Sequence, residues 1–173
     1  MFRMWGGGTY EPDCFYDYCS EYGILLMHDF MYACAFYPDQ KDSFLYEAER
    51  EAEYQTKRLA HYPCMAVWTG NNEIAESYPD WFPGMLQPER YWGDQIFNYI
   101  QPRAVQHNSP LIPYMPSTPY FGERSNTTEE GDVHAWTYFG RDSKTRFKFS
   151  YELEAFDRFP ARFSSEYGFF GAQ

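Results

Sequence analysis

Cys64-Met65-Ala66-Val67-Trp68-Thr69-Gly70-Asn71-Asn72-Glu73 is the stretch on which the architecture turns. Pro63 leads into a short apolar run that closes in Gly-Asn-Asn-Glu, with no Lys or Arg beside the acid. A run of this length, bounded by a proline and by polar residues, reads as a buried strand. A carboxylate at the exit of such a strand needs a reason, because a charge left dry is costly. Either it caps the next helix or it takes part in chemistry.

The pattern repeats on both sides. Residues 2–5 read as the end of a strand stopped by Gly6-Gly7-Gly8, where the backbone can turn and admit a close neighbour. A start in mid-strand reads as an internal position of a longer protein, and Met1-Phe2-Arg3-Met4-Trp5 has no leader pattern. Pro12 opens a helix with Phe15, Tyr18, Cys19 and Tyr22 on its apolar face and Gly23 as its stop. Residues 24–27 form a second buried strand, ending in His28-Asp29-Phe30. Ser43 suits an N-cap for a helix over 44–60 that turns Leu45, Ala48, Ala52 and Leu59 inward. Its Glu47, Glu49, Glu51 and Glu53 read as a solvated face.

Beyond Glu73, an irregular stretch with Trp81, Pro83 and Gly84 precedes a helix over about 89–107, which Pro102 kinks or splits. Strands are predicted over 111–115, 133–138 and 162–168, with a short helix over 150–158. The polar loop over 120–132 is long enough to suggest a functional segment.

Strand and helix alternate along the chain, which predicts α/β architecture with a parallel sheet and helical crossovers. Arg3, Trp5, Asp29, Asn72, Glu73, Ser117, His134 and Glu166 all fall at strand C-terminal ends. A (β/α)8 TIM barrel builds its active sites on that face. An open doubly wound sheet is the alternative, but Arg3-Met4-Trp5-Gly6-Gly7-Gly8 is not a phosphate-binding glycine fingerprint.

With 173 residues the chain is expected to form one domain around one core. Its 17 Tyr, 16 Phe and 5 Trp exceed the needs of that core and suit a carbohydrate or apolar ligand site. The net charge of −11 argues against nucleic acid as a partner. No run reaches the roughly 18 apolar residues of a membrane-spanning helix. Cys14, Cys19, Cys34 and Cys64 form no CxxC, sit among apolar neighbours and read as free buried thiols. Asn126-Thr127-Thr128 is a glycosylation sequon, with meaning in a secreted chain.

Glu73 and Glu166 each end a strand. Aimed into one barrel mouth, they would make the pair a glycosidase needs, and a separation of about 5–5.5 Å would give retention of configuration. The acid must hold its proton near neutral pH, which burial beside a second carboxylate favours. Arg3, at a neighbouring strand end, is placed to keep the nucleophile ionised. Strand-end acids also serve as metal ligands and structural ion pairs.

Four segments taken together resemble the catalytic domain of the β-mannosidases of glycoside hydrolase family 2. They are Arg3-Met4-Trp5-Gly6-Gly7-Gly8-Thr9-Tyr10-Glu11, His28-Asp29-Phe30-Met31-Tyr32-Ala33-Cys34-Ala35, Gly70-Asn71-Asn72-Glu73 and Arg162-Phe163-Ser164-Ser165-Glu166-Tyr167-Gly168-Phe169. Pro116-Ser117-Thr118-Pro119 and Gly131-Asp132-Val133-His134-Ala135-Trp136 fall between them in the family's order. The resemblance covers nearly the whole chain.

It implies a retaining exo-glycosidase acting on terminal β-D-mannose of oligosaccharides, with Glu73 as acid/base and Glu166 as nucleophile. Asn72 resembles the residue that binds the sugar 2-hydroxyl, and Arg3 the arginine that orients the nucleophile. Trp5 and Trp81 resemble the aromatic walls of the mannose subsite, while His134 and Trp136 resemble pocket-lining residues of strand six. Trp136 also suits barrel core, Asp29 a cap or buried acceptor, and His28 a polar lining position. Two carboxylates suffice for this chemistry, so neither cofactor nor metal is implied.

Against a family barrel the chain runs from about strand two to strand seven. It reads as a catalytic-domain fragment whose partners include the missing flanking domains and whose two sheet edges lack neighbours. It departs from the family at Met27-His28, where Trp-Gln is common, and at Tyr138-Phe139-Gly140 after Trp136. Both departures bear on the pocket wall. Another family 2 exo-glycosidase, an endo-β-mannosidase, and a non-catalytic carbohydrate-binding fragment are the alternative functions.

Overall fold

Met65-Ala66-Val67-Trp68-Thr69 is a strand, as its apolar run predicts. The computed structural model describes residues 1–76, 93–121, 126–135 and 161–167. Two compact units divide the chain at Thr118, one over Met1–Thr118 and one over Pro119–Gln173. In the first unit β1 (Phe2–Met4), β2 (Leu26–Asp29), β3 (Met65–Thr69) and β4 (Tyr114–Met115) form one parallel sheet in the order β1-β2-β3-β4. Helix α1 (Asp13–Glu21) links β1 to β2, and α2 (Asp42–Leu59) links β2 to β3. Helix α3 (Gln101–Asn108) precedes β4. Parallel neighbours demand such crossovers, because a tight turn cannot reverse the chain twice.

Helix α1 begins after Pro12 and is followed by Gly23 at φ +67°, as expected of its punctuation. Its inward face differs from the predicted one. Tyr16 and Cys19 are buried, Phe15 packs partly against the core, and Tyr18 and Tyr22 are exposed. Helix α2 starts at Asp42 after Lys41, so Ser43 lies inside the helix and caps nothing. Ala48, Ala52 and Leu59 are buried as predicted, joined by Gln55 and Thr56.

Glu51 departs from the solvated face predicted for it. The hydroxyls of Tyr10 and Tyr32 donate to its carboxylate at 2.6 and 3.4 Å, and burial pushes that carboxyl upward in pKa. Before Pro102 the backbone widens into a π-helical turn, Ile96–Ile100, and Pro102 then occupies the first turn of α3. Pro102 has no N–H to offer the preceding turn, and the Phe97 carbonyl, five residues back, accepts instead from the Tyr114 hydroxyl at 2.6 Å. The described part of β4 is shorter than its predicted run, and Leu111 is exposed.

Strand β2 begins and ends two residues later than predicted, which carries His28 and Asp29 into the sheet. His28 is therefore a core residue rather than a polar lining one. It is fully buried between Tyr10, Tyr16 and Trp68, whose ring centroids lie 5.7, 5.8 and 5.0 Å from its own. Its Nδ1 lies 2.8 Å from the Asp29 carbonyl, which can only accept, so Nδ1 carries the proton. Nε2 then accepts from the Tyr16 hydroxyl at 2.8 Å.

Burial lowers the His28 pKa from 6.5 to about 4, so the fold keeps the ring neutral. The unfolded chain takes up this proton near pH 6.5 and the folded chain only near pH 4. The ring's contribution is thus complete above about pH 6.5 and drains away as pH falls toward 4, an expected loss of about 3 kcal/mol. Urea unfolding between those pH values should show the slope, and His28→Gln should remove that share of it.

In the second unit β5 (Val133–His134) pairs in parallel with β6 (Ser164–Glu166), matching Val133 with Ser164 and His134 with Glu166. The Asn126 side chain, from a residue at φ +68°, accepts from His134 N at 2.9 Å and donates to His134 O at 3.3 Å. The sequon asparagine is thereby committed to the backbone of β5. Trp81, Trp136, the helix predicted over 150–158 and the far end of the strand predicted over 133–138 lie outside the described residues.

Candidate active site

Glu73 follows β3 by four residues, and the turn that carries it is built by its neighbours. Asn71 is fully buried; its Oδ1 accepts from Ile74 N at 3.0 Å and from Ser117 Oγ at 2.7 Å. Its Nδ2 donates to Pro116 O at 2.8 Å. Asn71 therefore caps the helical turn that begins at Ile74, which leaves the Glu73 carboxylate for other work.

Asn72 bridges in parallel to Ala33 on one side and to Thr118 on the other, so the sheet continues beyond β3 through this residue. Asn72 N donates to Tyr32 O at 2.9 Å and Glu73 N to Thr118 O at 2.8 Å. Glu73 itself adopts φ +61°, in the left-handed region that non-glycine residues seldom enter. Such strain persists where surrounding contacts over-determine it, commonly at functional sites.

Gly70 makes the approach possible. A Cβ there would run into Pro116 O and the Tyr114 hydroxyl. Gly70→Ala is expected to cost about 1–3 kcal/mol by overpacking, read as a lower urea midpoint at unchanged slope.

Arg3, at the centre of β1, reaches across the sheet. Its Nη2 donates to Asp29 Oδ2 and to Asn72 Oδ1, both at 2.7 Å. Asp29 also accepts from Gly6 N at 3.0 Å and from the Thr69 hydroxyl. Asp29 is thus the buried acceptor its sequence position suggested. Burial raises the Asp29 carboxyl above its usual range, and the Arg3 charge with the donors of Arg3, Thr69 and Gly6 offsets only part of that rise.

Because Arg3 can only donate, the Asn72 amide must present Oδ1 to it and Nδ2 to the other side. On that side Nδ2 lies 3.2 Å from Glu73 Oε2 and 3.3 Å from Cys34 Sγ. The Cys34 thiol donates to the same Glu73 oxygen at 3.3 Å.

The first unit thus brings together three predicted site residues, Arg3, Asn72 and Glu73, around Asp29. Trp5 stands just past β1, half exposed, with its ring over Gly7. In the second unit His134 is fully buried on β5, its Nδ1 3.5 Å from Glu166 Oε2. Ser165 Oγ donates to Asp132 Oδ2 at 2.5 Å, and Asp132 Oδ1 accepts from Tyr120 N at 2.8 Å, which ties the strand ends together.

Sequence reasoning missed Cys34, Thr69 and the capping role of Asn71. None of the four cysteines is in a disulfide, and Cys19 and Cys64 are buried as predicted, but Cys14 is exposed and Cys34 only half-buried. Cys34 carries no motif that marks it. Its position shows only once β2 and β3 are paired.

No protein-family model matches the chain. The β-mannosidase B of Emericella nidulans is 34% identical over 179 residues, which are 97% of this chain and 20% of that protein. The β-mannosidase B of Aspergillus clavatus is 36% identical over 180 residues, with the same coverage. Among solved structures, the β-D-mannosidase of Dictyoglomus thermophilum matches with a TM-score of 0.84 and 36% identity, over 96% of this chain and 19% of that one. The chain spans about a fifth of the length of the curated relatives it matches. In sequence and in fold, it is similar to one segment of these β-mannosidases.

Proposed function

We propose that this chain is a catalytic segment of a retaining exo-β-mannosidase, with Glu73 as acid/base and Glu166 as nucleophile. The observation that carries the reading is the strand-end Glu73. It is buried, held in a left-handed backbone and backed by Asn72 and Arg3, in a chain related to β-mannosidases. Four sequential parallel strands with helical crossovers support an arc of a (β/α)8 barrel.

In the first step the Glu73 carboxyl protonates the glycosidic oxygen while the Glu166 carboxylate attacks the anomeric carbon. The aglycone leaves and a mannosyl-enzyme ester remains. In the second step Glu73, now ionised, takes a proton from water, which attacks the same carbon and frees Glu166. Two inversions give net retention. Asn72 serves the 2-hydroxyl, and Trp5, Trp81 and Trp136 supply apolar walls for the sugar ring. His134 fixes the Glu166 side chain from β5.

The test exchanges this chain for the matching segment of the Dictyoglomus enzyme and follows hydrolysis of 4-nitrophenyl glycosides. Release from the β-mannoside, with β-mannose as the first anomer in the proton NMR spectrum, is expected. Preference for a β-glucosaminide would assign another exo-glycosidase. Mannose binding by calorimetry without turnover would assign a binding module.

A further inference from the structure

The Glu73 carboxylate is held by two donors that meet on one oxygen, and the strain around it falls on both sides of the contact. Cys34 adopts φ +45° and Glu73 φ +61°. Cys34 N donates to Asn72 O at 3.0 Å, while Asn72 N donates to Tyr32 O at 2.9 Å. Two adjacent strand exits are therefore laced together at the point where each leaves regular geometry. The side chains close a triangle over that lacing: Asn72 Nδ2 to Glu73 Oε2 at 3.2 Å, Cys34 Sγ to Glu73 Oε2 at 3.3 Å, and Asn72 Nδ2 to Cys34 Sγ at 3.3 Å.

We propose that Asn72 and Cys34 act together as a clamp on Glu73 Oε2, with Cys34 as a positioning residue and the Arg3–Asp29 pair fixing which end of the Asn72 amide faces the acid. The proposal rests on the assignment of Glu73 as acid/base and adds a division of labour between its two oxygens. Donors to a carboxylate favour its ionised form, and both act at Oε2. A proton placed on Oε2 would compete with them, so the proposal assigns the exchangeable proton to Oε1. The clamp thus opposes the effect of burial and sets the upper pH at which Glu73 still carries a proton.

The charged and titratable groups around the clamp include Glu76, in the helical turn after Glu73. A carboxylate oxygen of Glu76 lies within 4.8 Å of the Glu73 carboxylate and pushes the Glu73 carboxyl up against the clamp in every variant alike. Arg3 of β1 acts through Asn72, and Asp29 of β2 acts through Arg3. After β2, Tyr37 faces Cys34, its hydroxyl 2.9 Å from Ala33 N. Arg3 and Asp29 are ionic partners of one another, so Cys34 is the group whose removal isolates the clamp.

Two measurements on this chain test the proposal, and neither requires turnover. In the first, the Glu73 carboxyl carbon is followed by 13C NMR against pH, assigned by its loss in Glu73→Gln. Cys34→Ala is expected to move the midpoint up by about half a unit to one unit, and Cys34→Ser to return it to the starting value. In the second, alkylation of Cys34 by iodoacetamide is read peptide by peptide. A carboxylate beside a thiol disfavours the thiolate, so Glu73→Gln is expected to speed alkylation about three- to tenfold. The second measurement leaves Cys34 in place and needs no variant at that position. An unmoved midpoint in Cys34→Ala, or an unchanged alkylation rate in Glu73→Gln, overturns the clamp. Either failure can occur while β-mannoside hydrolysis is found, and success can occur without it, so the two readings are separable.

Discussion

Glu166→Gln should abolish β-mannoside turnover in the exchanged enzyme, and Glu73→Gln should lower it by about 10²–10⁴-fold. The two losses differ in kind. Without a carboxylate at 166 no glycosyl ester forms, and no added reagent restores the first step at that carbon with retention. Without Glu73 the ester still forms from substrates whose leaving group needs no proton, and it then waits for a base. Azide is already an anion and needs none. Adding it should therefore speed the Glu73→Gln enzyme, yield β-mannosyl azide, and do nothing for Glu166→Gln. Pre-steady-state release of nitrophenol separates the steps: a burst in Glu73→Gln, none in Glu166→Gln. Equal turnover in wild type and both variants would remove the carboxylate pair from the mechanism.

Asp29→Ala is expected to destabilise the chain by about 3–5 kcal/mol, the largest stability effect among the residues discussed. Asp29 is fully buried and the Arg3 side chain is 11% exposed, so their ion pair at 2.7 Å is little screened by water. Removing the carboxylate strips Arg3 of its Asp29 partner and also withdraws the acceptor used by Gly6 N and the Thr69 hydroxyl. Buried donors left without that acceptor carry their full desolvation cost. Asp29→Asn keeps an acceptor and the shape but loses the charge, and should cost less than Asp29→Ala. Arg3→Met combined with Asp29→Ala should cost clearly less than the sum of the two single changes. Urea unfolding of the four proteins closes that cycle, and additive losses would mean that the two side chains act independently.

The positions of strands and helices were legible because hydrophobic runs, prolines and glycines mark them locally. The helix stop at Gly23, the burial of Ala48, Ala52 and Leu59, and strand β3 all followed from such marks. What failed depended on partners distant in sequence. Tyr16 rather than Tyr18 is buried because its hydroxyl meets His28, twelve positions on, and no helical periodicity contains that fact. Glu51 left the solvated face because Tyr10 and Tyr32 converge on it from other segments. At the site, Asn72 and Glu73 could be named from their own stretch. Cys34 became visible only when strand pairing set it beside Glu73, and Thr69 only when the same pairing set it against Asp29.

The strand order β1-β2-β3-β4 has a consequence for how the site comes into being. Every strand of this sheet pairs with the one made just before it, so the sheet can grow at one edge as the ribosome delivers the chain, at roughly 5–20 residues per second. Arg3 and Asp29 meet as soon as β2 docks on β1. Asn72 arrives only after β3, and Thr118, which holds the Glu73 backbone from the far side, arrives later still. The costly buried charge is neutralised first, and the strained acid is fixed last, on a scaffold already built to hold it.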